Sequence, residues 1–195
     1  EARPWPEYRQ LFVTVPHANR GGRFWRKYED VLARAQEKYG VDPAVIVAII
    51  GIESQYGRNA GRIRTIDALT TLGLEYPRRG SFFRRELLQF ILLAREQQLD
   101  PLDIKGSYAG AMGLGQFMPS SYRAYAVDFD DDGRRDLWQS TPDVVGSVAN
   151  YLAVHGWEAG GPVVRDVTLQ PEADLSLFER SNYKPSDTVL AFHEQ

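Results

Sequence analysis

Asp42-Pro43-Ala44-Val45-Ile46-Val47-Ala48-Ile49-Ile50-Gly51-Ile52-Glu53-Ser54-Gln55-Tyr56-Gly57 is the stretch whose reading decides the fold. Asp42 is a helix N-cap residue, and Pro43 stands at the first helical position, where its missing N–H leaves no bond unmade. From there to about Gln55 almost every residue is apolar, with Val45, Ile46, Val47, Ile49, Ile50 and Ile52 covering all sides. A helix without a polar face belongs in the middle of a domain, so other helices must wrap it. Glu53 is the one carboxyl it carries, in its last turn.

Moving outward, Phe24 to Tyr39 places Trp25, Tyr28, Val31, Leu32 and Ala35 at helical spacing, and Gly40 stops the run. Thr65 is read as the cap of a short helix carrying Ala68 and Leu69. Ser81 to Gln98 repeats Phe83, Leu87, Phe90, Ile91 and Ala94 on one face. Pro119 opens another helix. Thr141-Pro142-Asp143 caps the last one, which carries Val144, Val145, Val148, Tyr151 and Leu152 before Gly156. Val163-Val164 is the only strand signal, and from about Trp157 the pattern breaks into short Pro- and Gly-punctuated pieces. The expectation is a mainly α-helical protein: one domain over residues 1–195, a core over about 43–156 and an irregular segment over 157–195.

Composition narrows the function. Of 195 residues, 43% are hydrophobic and 25% charged, the balance of a globular chain with a real core. The net charge of −3 offers no basic field for nucleic acid, and no apolar run reaches the ~20 residues of a membrane span. With no cysteine, disulfides, zinc–thiolate sites and thiol nucleophiles are excluded, leaving only His17, His155 and His193 as imidazoles. The opening Glu1-Ala2-Arg3-Pro4 reads as a mature or trimmed start.

Three features carry chemistry. Glu53, ending an apolar helix, is partly desolvated, which raises a carboxyl pKa and suits a general acid; by position alone it could equally reach out to solvent. Ser107-Tyr108-Ala109-Gly110-Ala111-Met112-Gly113-Leu114-Gly115-Gln116-Phe117-Met118-Pro119-Ser120-Ser121-Tyr122 mixes Gly and Ala with polar and aromatic residues. Such a run lets backbone approach a ligand closely, or lets two helices cross tightly. Asp128-Phe129-Asp130-Asp131-Asp132-Gly133-Arg134-Arg135-Asp136 follows an EF-hand loop. Asp128, Asp130 and Asp132 fall at positions 1, 3 and 5, with the Arg134 carbonyl at 7 and Asp136 at 9. Position 12, normally a bidentate Glu, is Gln139. A plain solvated acidic turn is the alternative.

Glu53-Ser54, Tyr76-Pro77-Arg78-Arg79, Gly110-Ala111-Met112-Gly113-x-Gly115-Gln116-Phe117-Met118-Pro119-Ser120-Ser121-Tyr122 and Gly146-Ser147-Val148-Ala149-Asn150-Tyr151 occur together and in order. This set closely resembles the lytic transglycosylases of the membrane-bound lytic transglycosylase B type, over roughly Tyr8 to Trp157. The resemblance implies a goose-lysozyme-like helical core and cleavage of the glycan strands of bacterial peptidoglycan. It puts Glu53 at the family's single catalytic acid and Ser107, Gln116 and Tyr151 in the sugar groove. Arg78 and Arg79 match a basic pair that meets peptide or lactyl carboxylates of the substrate; Ser54 and Tyr56 flank the acid as substrate-binding candidates. It also aligns Asp143 with a family acid that supplies the missing carboxylate of the loop, with Asp136 as the rival ligand.

The implied chemistry needs one carboxyl. Glu53 protonates the oxygen between N-acetylmuramic acid and N-acetylglucosamine, the substrate's 2-acetamido oxygen stabilises the anomeric carbon, and Glu53 then takes the proton of the muramyl 6-hydroxyl as a 1,6-anhydro end closes. No cofactor enters that chemistry. A structural Ca2+ is expected in the acidic loop, with Na+ or Mg2+ as alternatives. The implied setting is the periplasm of a Gram-negative bacterium, as a soluble form or a clipped lipoprotein, beside cell-wall synthases or amidases. Family members continue past this chain's end into an Arg-Tyr-Asn motif; Asn182-Tyr183 sits in surroundings that do not match it, so the family C-terminus reads as missing. The rival functions are a hydrolytic muramidase, which needs a second carboxylate to hold water, and a non-catalytic glycan-binding protein of the wall.

Overall fold

The computed structural model describes residues 3–164 and Thr168. Eight helices and two very short strands are formed among them: α1 (Trp5–Phe12), α2 (Val15–Lys27), α3 (Glu29–Tyr39), α4 (Pro43–Ser54), β1 (Ile63–Arg64), α5 (Thr65–Glu75), α6 (Gly80–Glu96), β2 (Lys105–Gly106), α7 (Pro119–Tyr125) and α8 (Thr141–Val154). Glu1–Gly161 form one compact unit; Pro162 begins a second, of which only Pro162–Val164 and Thr168 are described. Asn182-Tyr183 lies outside the described residues.

Helix α4 starts as its sequence dictates, with Asp42 Oδ1 accepting from Ala44 N at 2.7 Å. It packs against α2, α3 and α8. Ile46 and Ile50 are fully buried, and Val47 nearly so. The expectation that it is covered on every side needs correction. Ala44, Ala48 and Ile52 (56% exposed), spaced four apart, form a stripe that faces solvent.

The run read as one helix from Phe24 to Tyr39 is two. Tyr28 leaves helical geometry (φ −122°, ψ 28°), and its N–H is shared between Phe24 and Trp25 carbonyls. The break lets α2 lie on α4 while α3 turns to lie on α8 and α4. Periodicity through Tyr28 is continuous, so only packing reveals the bend. Helices α5 and α6 form a hairpin, clasped by Arg84 donating to the Gly73 carbonyl at 2.6 Å. Thr65 is the first residue of α5, with no cap hydrogen bond from its side chain. The cap of α8 is Ser140, whose hydroxyl accepts from Asp143 N, one residue before the expected Thr141.

Strand β1 pairs antiparallel with β2, Ile63 opposite Gly106 and Arg64 opposite Lys105. Bridges from Gly106 to Met112 and from Met112 to Phe117 continue the ladder. This small sheet ties the segment after α4 to the Gly-rich loop. Neither strand is long enough to leave a sequence signal. Val163 and Val164, the expected strand, pair with nothing described and are 69% and 83% exposed.

Candidate active site

The end of α4 is built to turn Glu53 outward. Gln55 adopts left-handed geometry (φ 51°, ψ 44°), followed by Tyr56 (φ 59°) and Gly57 (φ 84°). Two residues with side chains in this region store strain, so packing must hold them. Ser54, fully buried, donates to the Ile50 carbonyl at 3.2 Å and accepts from Gly57 N at 3.1 Å. Tyr56 folds back against Phe24, with ring centroids 5.2 Å apart. A Cβ on Gly51 would stand 2.4 Å from the Tyr56 hydroxyl, so only glycine fits inside the otherwise aliphatic helix.

The Gly-rich loop forms the facing wall. Met112 and Phe117 exchange both backbone hydrogen bonds at 2.9 Å, pinching off the turn between them. Leu114 N donates to Leu137 O at 2.8 Å. Gly113 (φ 70°) permits this approach, because a Cβ there would lie 2.4 Å from the same carbonyl. Gln116, also left-handed at φ 51°, donates its amide to Ala60 O (3.2 Å) and Gly113 O (2.8 Å). With both donors aimed at carbonyls, its Oε1 remains the acceptor for a ligand.

Between these walls lies a cavity of about 350 Å3. Ile49 and Glu53 of α4 line it, with Gly115, Gln116, Phe117 and Met118 of the loop, Ser121 of α7, and Val148, Tyr151 and Leu152 of α8. Tyr151 is fixed edge-on to Phe117 (5.8 Å) and to Tyr125 (5.2 Å) and stacked on His155 (4.0 Å). Glu53 is exposed by surface area, yet the apolar wall crowds its carboxyl, and that burial pushes its pKa above the ordinary value near 4.5. Among the described residues it is the only carboxylate in the lining, and none donates a hydrogen bond to its side chain. A larger cavity of about 480 Å3, bordered by Ala60, Lys105, Arg134 and Trp138, does not include Glu53; size does not pick the site.

Residues 1–193 match the family described as the Transglycosylase SLT domain. The chain belongs to the transglycosylase SLT family. It is 54% identical over 159 residues to membrane-bound lytic murein transglycosylase B of Escherichia coli K12, an overlap of 82% of this chain and 44% of that one. The crystal structure of E. coli lytic transglycosylase Slt35 in complex with calcium superposes with a TM-score of 0.79 at 53% identity, over 82% of this chain and 51% of that one. Pseudomonas aeruginosa SltB3 in complex with NAG-NAM-pentapeptide gives 0.84 at 37% identity, over 90% and 47%. The chain thus spans about half the length of these relatives. The mainly helical, lysozyme-like fold read from the sequence is the fold of this transglycosylase family.

The cavity brings together Glu53, Gln116 and Tyr151 from the sequence-derived set. Ser54 is a correction: it is buried and spends its hydroxyl on the helix end, so it shapes the turn and does not line the cavity. Tyr56 faces Gly21, Gly51 and Phe24, away from the cavity. The Ser107 hydroxyl accepts from Ala109 N (3.3 Å) and Ala111 N (3.1 Å), holding the loop, and does not line the cavity. Arg78 and Arg79 stand in the α5–α6 link, outside the lining; the Arg79 guanidinium lies 4.6 Å over the Phe82 ring. The sequence reading overlooked Ile49, Phe117, Met118, Ser121, Val148 and Leu152 as site residues. The available signal was spacing: Ile49 precedes Glu53 by one turn, and Val148 and Leu152 share the Tyr151 face.

The acidic loop forms a separate site. Carboxylate oxygens of Asp128, Asp130 and Asp143 lie within 4.8 Å of one another. Asp143, fully buried, accepts from Phe129 N and Asp136 N, each at 2.7 Å. Burial and the charges of Asp130 and Asp128 push its pKa up against those two hydrogen bonds. Asp132 stands apart from the trio and accepts from Arg134 N at 2.8 Å. Asp136, the rival ligand, instead accepts from Trp138 N and Gln139 N. Among the described residues no Lys or Arg pairs with the trio. Three convergent carboxylates without a counter-charge fit a hard, oxygen-binding cation.

Proposed function

We propose that this chain is the catalytic part of a peptidoglycan lytic transglycosylase, cleaving the β-1,4 bond from N-acetylmuramic acid to N-acetylglucosamine without water. The carrying observation is the solitary carboxyl: Glu53 faces a cavity otherwise lined by apolar groups, Gln116, Ser121 and Tyr151. Hydrolysing glycosidases use two carboxyl groups at set separations. A single one with a raised pKa fits a reaction in which the substrate supplies the second function. Glu53 gives its proton to the bridging oxygen as the bond from the muramyl anomeric carbon to that oxygen breaks. The substrate's acetamido oxygen bonds to the anomeric carbon. The muramyl 6-oxygen then displaces it, returning its proton to Glu53 and leaving a 1,6-anhydro end. Gln116 Oε1 and the hydroxyls of Ser121 and Tyr151 orient sugar hydroxyls, while the apolar wall raises the pKa of the acid.

The same reading covers the rest of the assignment. The catalytic domain is the Glu1–Gly161 unit, with the working core over about 43–156. The substrate is peptidoglycan glycan bearing peptide stems, of the kind that SltB3 is complexed with. Asp128, Asp130 and Asp143, joined by Asp132 and the Arg134 carbonyl, would hold a structural Ca2+, the ion present in the Slt35 complex. Such an ion would offset two of the three carboxylate charges and clamp the loop onto α8; the chemistry at Glu53 needs no cofactor. Such a substrate fits the periplasmic cell wall of a Gram-negative bacterium, with synthases and amidases of that wall as the partner class. No described helix is long and apolar enough to cross a membrane.

Mass spectrometry of products from purified sacculi, with Glu53→Gln as control, tests the reaction. Ends one water lighter than hydrolysed muropeptides and resistant to borohydride are expected. Reducible ends of full mass would make the protein a muramidase.

A further inference from the structure

A second cavity of about 320 Å3 opens beside the catalytic one, and two stretches of chain divide them. Glu53 faces the catalytic side, while Gln55, Tyr56 and Arg58 line the second cavity; Gly115 and Gln116 face the first, and Leu114 the second. The rest of its wall is Arg20, Arg23, Phe24, Lys27 and Tyr28 of α2 and α3's entry, with Thr141.

The charge here is of one sign. Arg20, Arg23 and Lys27 follow at i, i+3 and i+7, one face of α2, and Arg58 joins them from the turn after α4. Helix α2 carries Arg26 as well and contains no acid. Like charges three and four residues apart destabilise a helix, so this face is costly without a counter-ion. Among the described residues no carboxylate lines the cavity, and none of these four cations forms an ion pair. Arg20 adds an independent observation: its Nε is buried with no hydrogen-bond partner, an arrangement uncommon unless a ligand completes it. Lys27 Nζ lies 4.9 Å from the Tyr28 ring centroid and holds the Tyr28 hydroxyl below its ordinary pKa.

We propose that the Arg20–Arg23–Lys27–Arg58 basin is a carboxylate-binding site for the peptide stem carried by the glycan that occupies the Glu53 cavity. The inference rests on the glycan-cleaving reading above. Four cations spread around a space of this size suit several carboxylates on an extended chain better than one compact anion. The Gln55 amide, the hydroxyls of Tyr28 and Thr141, and the apolar side chains of Phe24 and Leu114 offer what a peptide backbone and its side chains need. Arg58 lies five residues beyond the catalytic acid, so peptide and glycan can engage one continuous surface.

The test compares kinetics of the full chain on two substrates, glycan strands with intact stems and the same strands stripped of peptide. Replacing the exposed Arg23, Lys27 and Arg58 together by Gln should lower kcat/KM about tenfold more on the peptide-bearing glycan than on the bare one, through KM, as expected for several screened surface contacts. Equal losses on both, or none on either, overturn the proposal. Titration of free stem peptide into Glu53→Gln, followed by 15N NMR of the arginine Nε–H signals, should shift Arg20 in the parent and much less in the triple variant. Inorganic phosphate at the same concentration should compete poorly; equal competition makes the basin a general anion site and defeats the peptide assignment. If the wild type cleaves neither glycan, the transglycosylase reading fails by itself, and the titration still decides the basin.

Discussion

Glu53 and Asp143 both carry carboxyls with raised pKa values, and they arrive there by opposite routes. Glu53 is raised by burial alone, against an apolar wall, with no described hydrogen-bond donor to its side chain. Asp143 is raised by burial and by its neighbours Asp130 and Asp128, while two backbone N–H groups grip its oxygens. A solitary, ungripped acid can pass a proton to a substrate and take one back. A gripped acid among other acids cannot move, and its unbalanced charge calls for a cation. On the proposed reading, the same direction of shift accompanies a proton carrier in one region and a metal seat in the other, and the neighbours distinguish them.

Glu53→Gln should lower release of soluble muropeptides by about 10²–10⁴-fold, the range for loss of an acid–base group, or more because it acts twice. Its thermal midpoint should stay at or above the parent's. Near-normal turnover would remove Glu53 from the chemistry and the contrast with it.

The acidic loop is tested by calcium. At about a hundredfold excess over the dissociation constant, binding should stabilise the folded state by about 2.7 kcal/mol, raising the thermal midpoint by about 5–10 °C for a chain of this size. Asp143→Asn should abolish that response. A flat calcium titration of the wild type would leave the trio as a plain acidic turn.

Gly51→Ala sharpens the first half of the contrast, because the added methyl displaces the Tyr56 ring that holds the turn after Glu53. A loss of about 1–3 kcal/mol in chemical denaturation is expected, as for overpacking in a filled core. No loss would mean that the turn holds Glu53 without Tyr56.

The smallest effect is one of pH. The folded state binds the Glu53 proton more tightly than the unfolded chain, so that contribution to stability is complete below the ordinary value near 4.5 and is lost as pH rises through the raised one. Glu53→Gln should therefore be slightly more stable than the parent at about pH 7.5, with the advantage gone at about pH 3.5. Urea midpoints at the two values measure it. An advantage that persists unchanged in acid would mean that the charge of Glu53 is not what burial opposes.

Much of this was legible in residue order. The Pro43 start of α4, the Gly40 stop of α3, the Pro119 start of α7 and the apolar faces of α6 and α8 are local patterns, and local propensity and periodicity specify them. Gln116 and Tyr151 were found by resemblance, and the cavity includes both. Ser54 and Tyr56 are substrate candidates by nearness to Glu53, and Ser107 by the same resemblance as Gln116 and Tyr151. Neither nearness nor resemblance says which way a side chain turns: Ser54 and Ser107 accept from backbone N–H groups, and Tyr56 lines the second cavity instead. The bend at Tyr28 and the β1–β2 pair were illegible because each depends on partners far away in sequence.

By itself the sequence determined a helical chain around one apolar helix, a lone acid at that helix's end, and acids spaced for a cation. These are matters of period, spacing and residue type. Only the tertiary structure decided that the acid has no second carboxylate beside it among the described residues, that Asp143 rather than Asp136 completes the trio, and that α2 sets its cations around Arg58. Such facts join residues many positions apart, and packing against a common core is what brings them together.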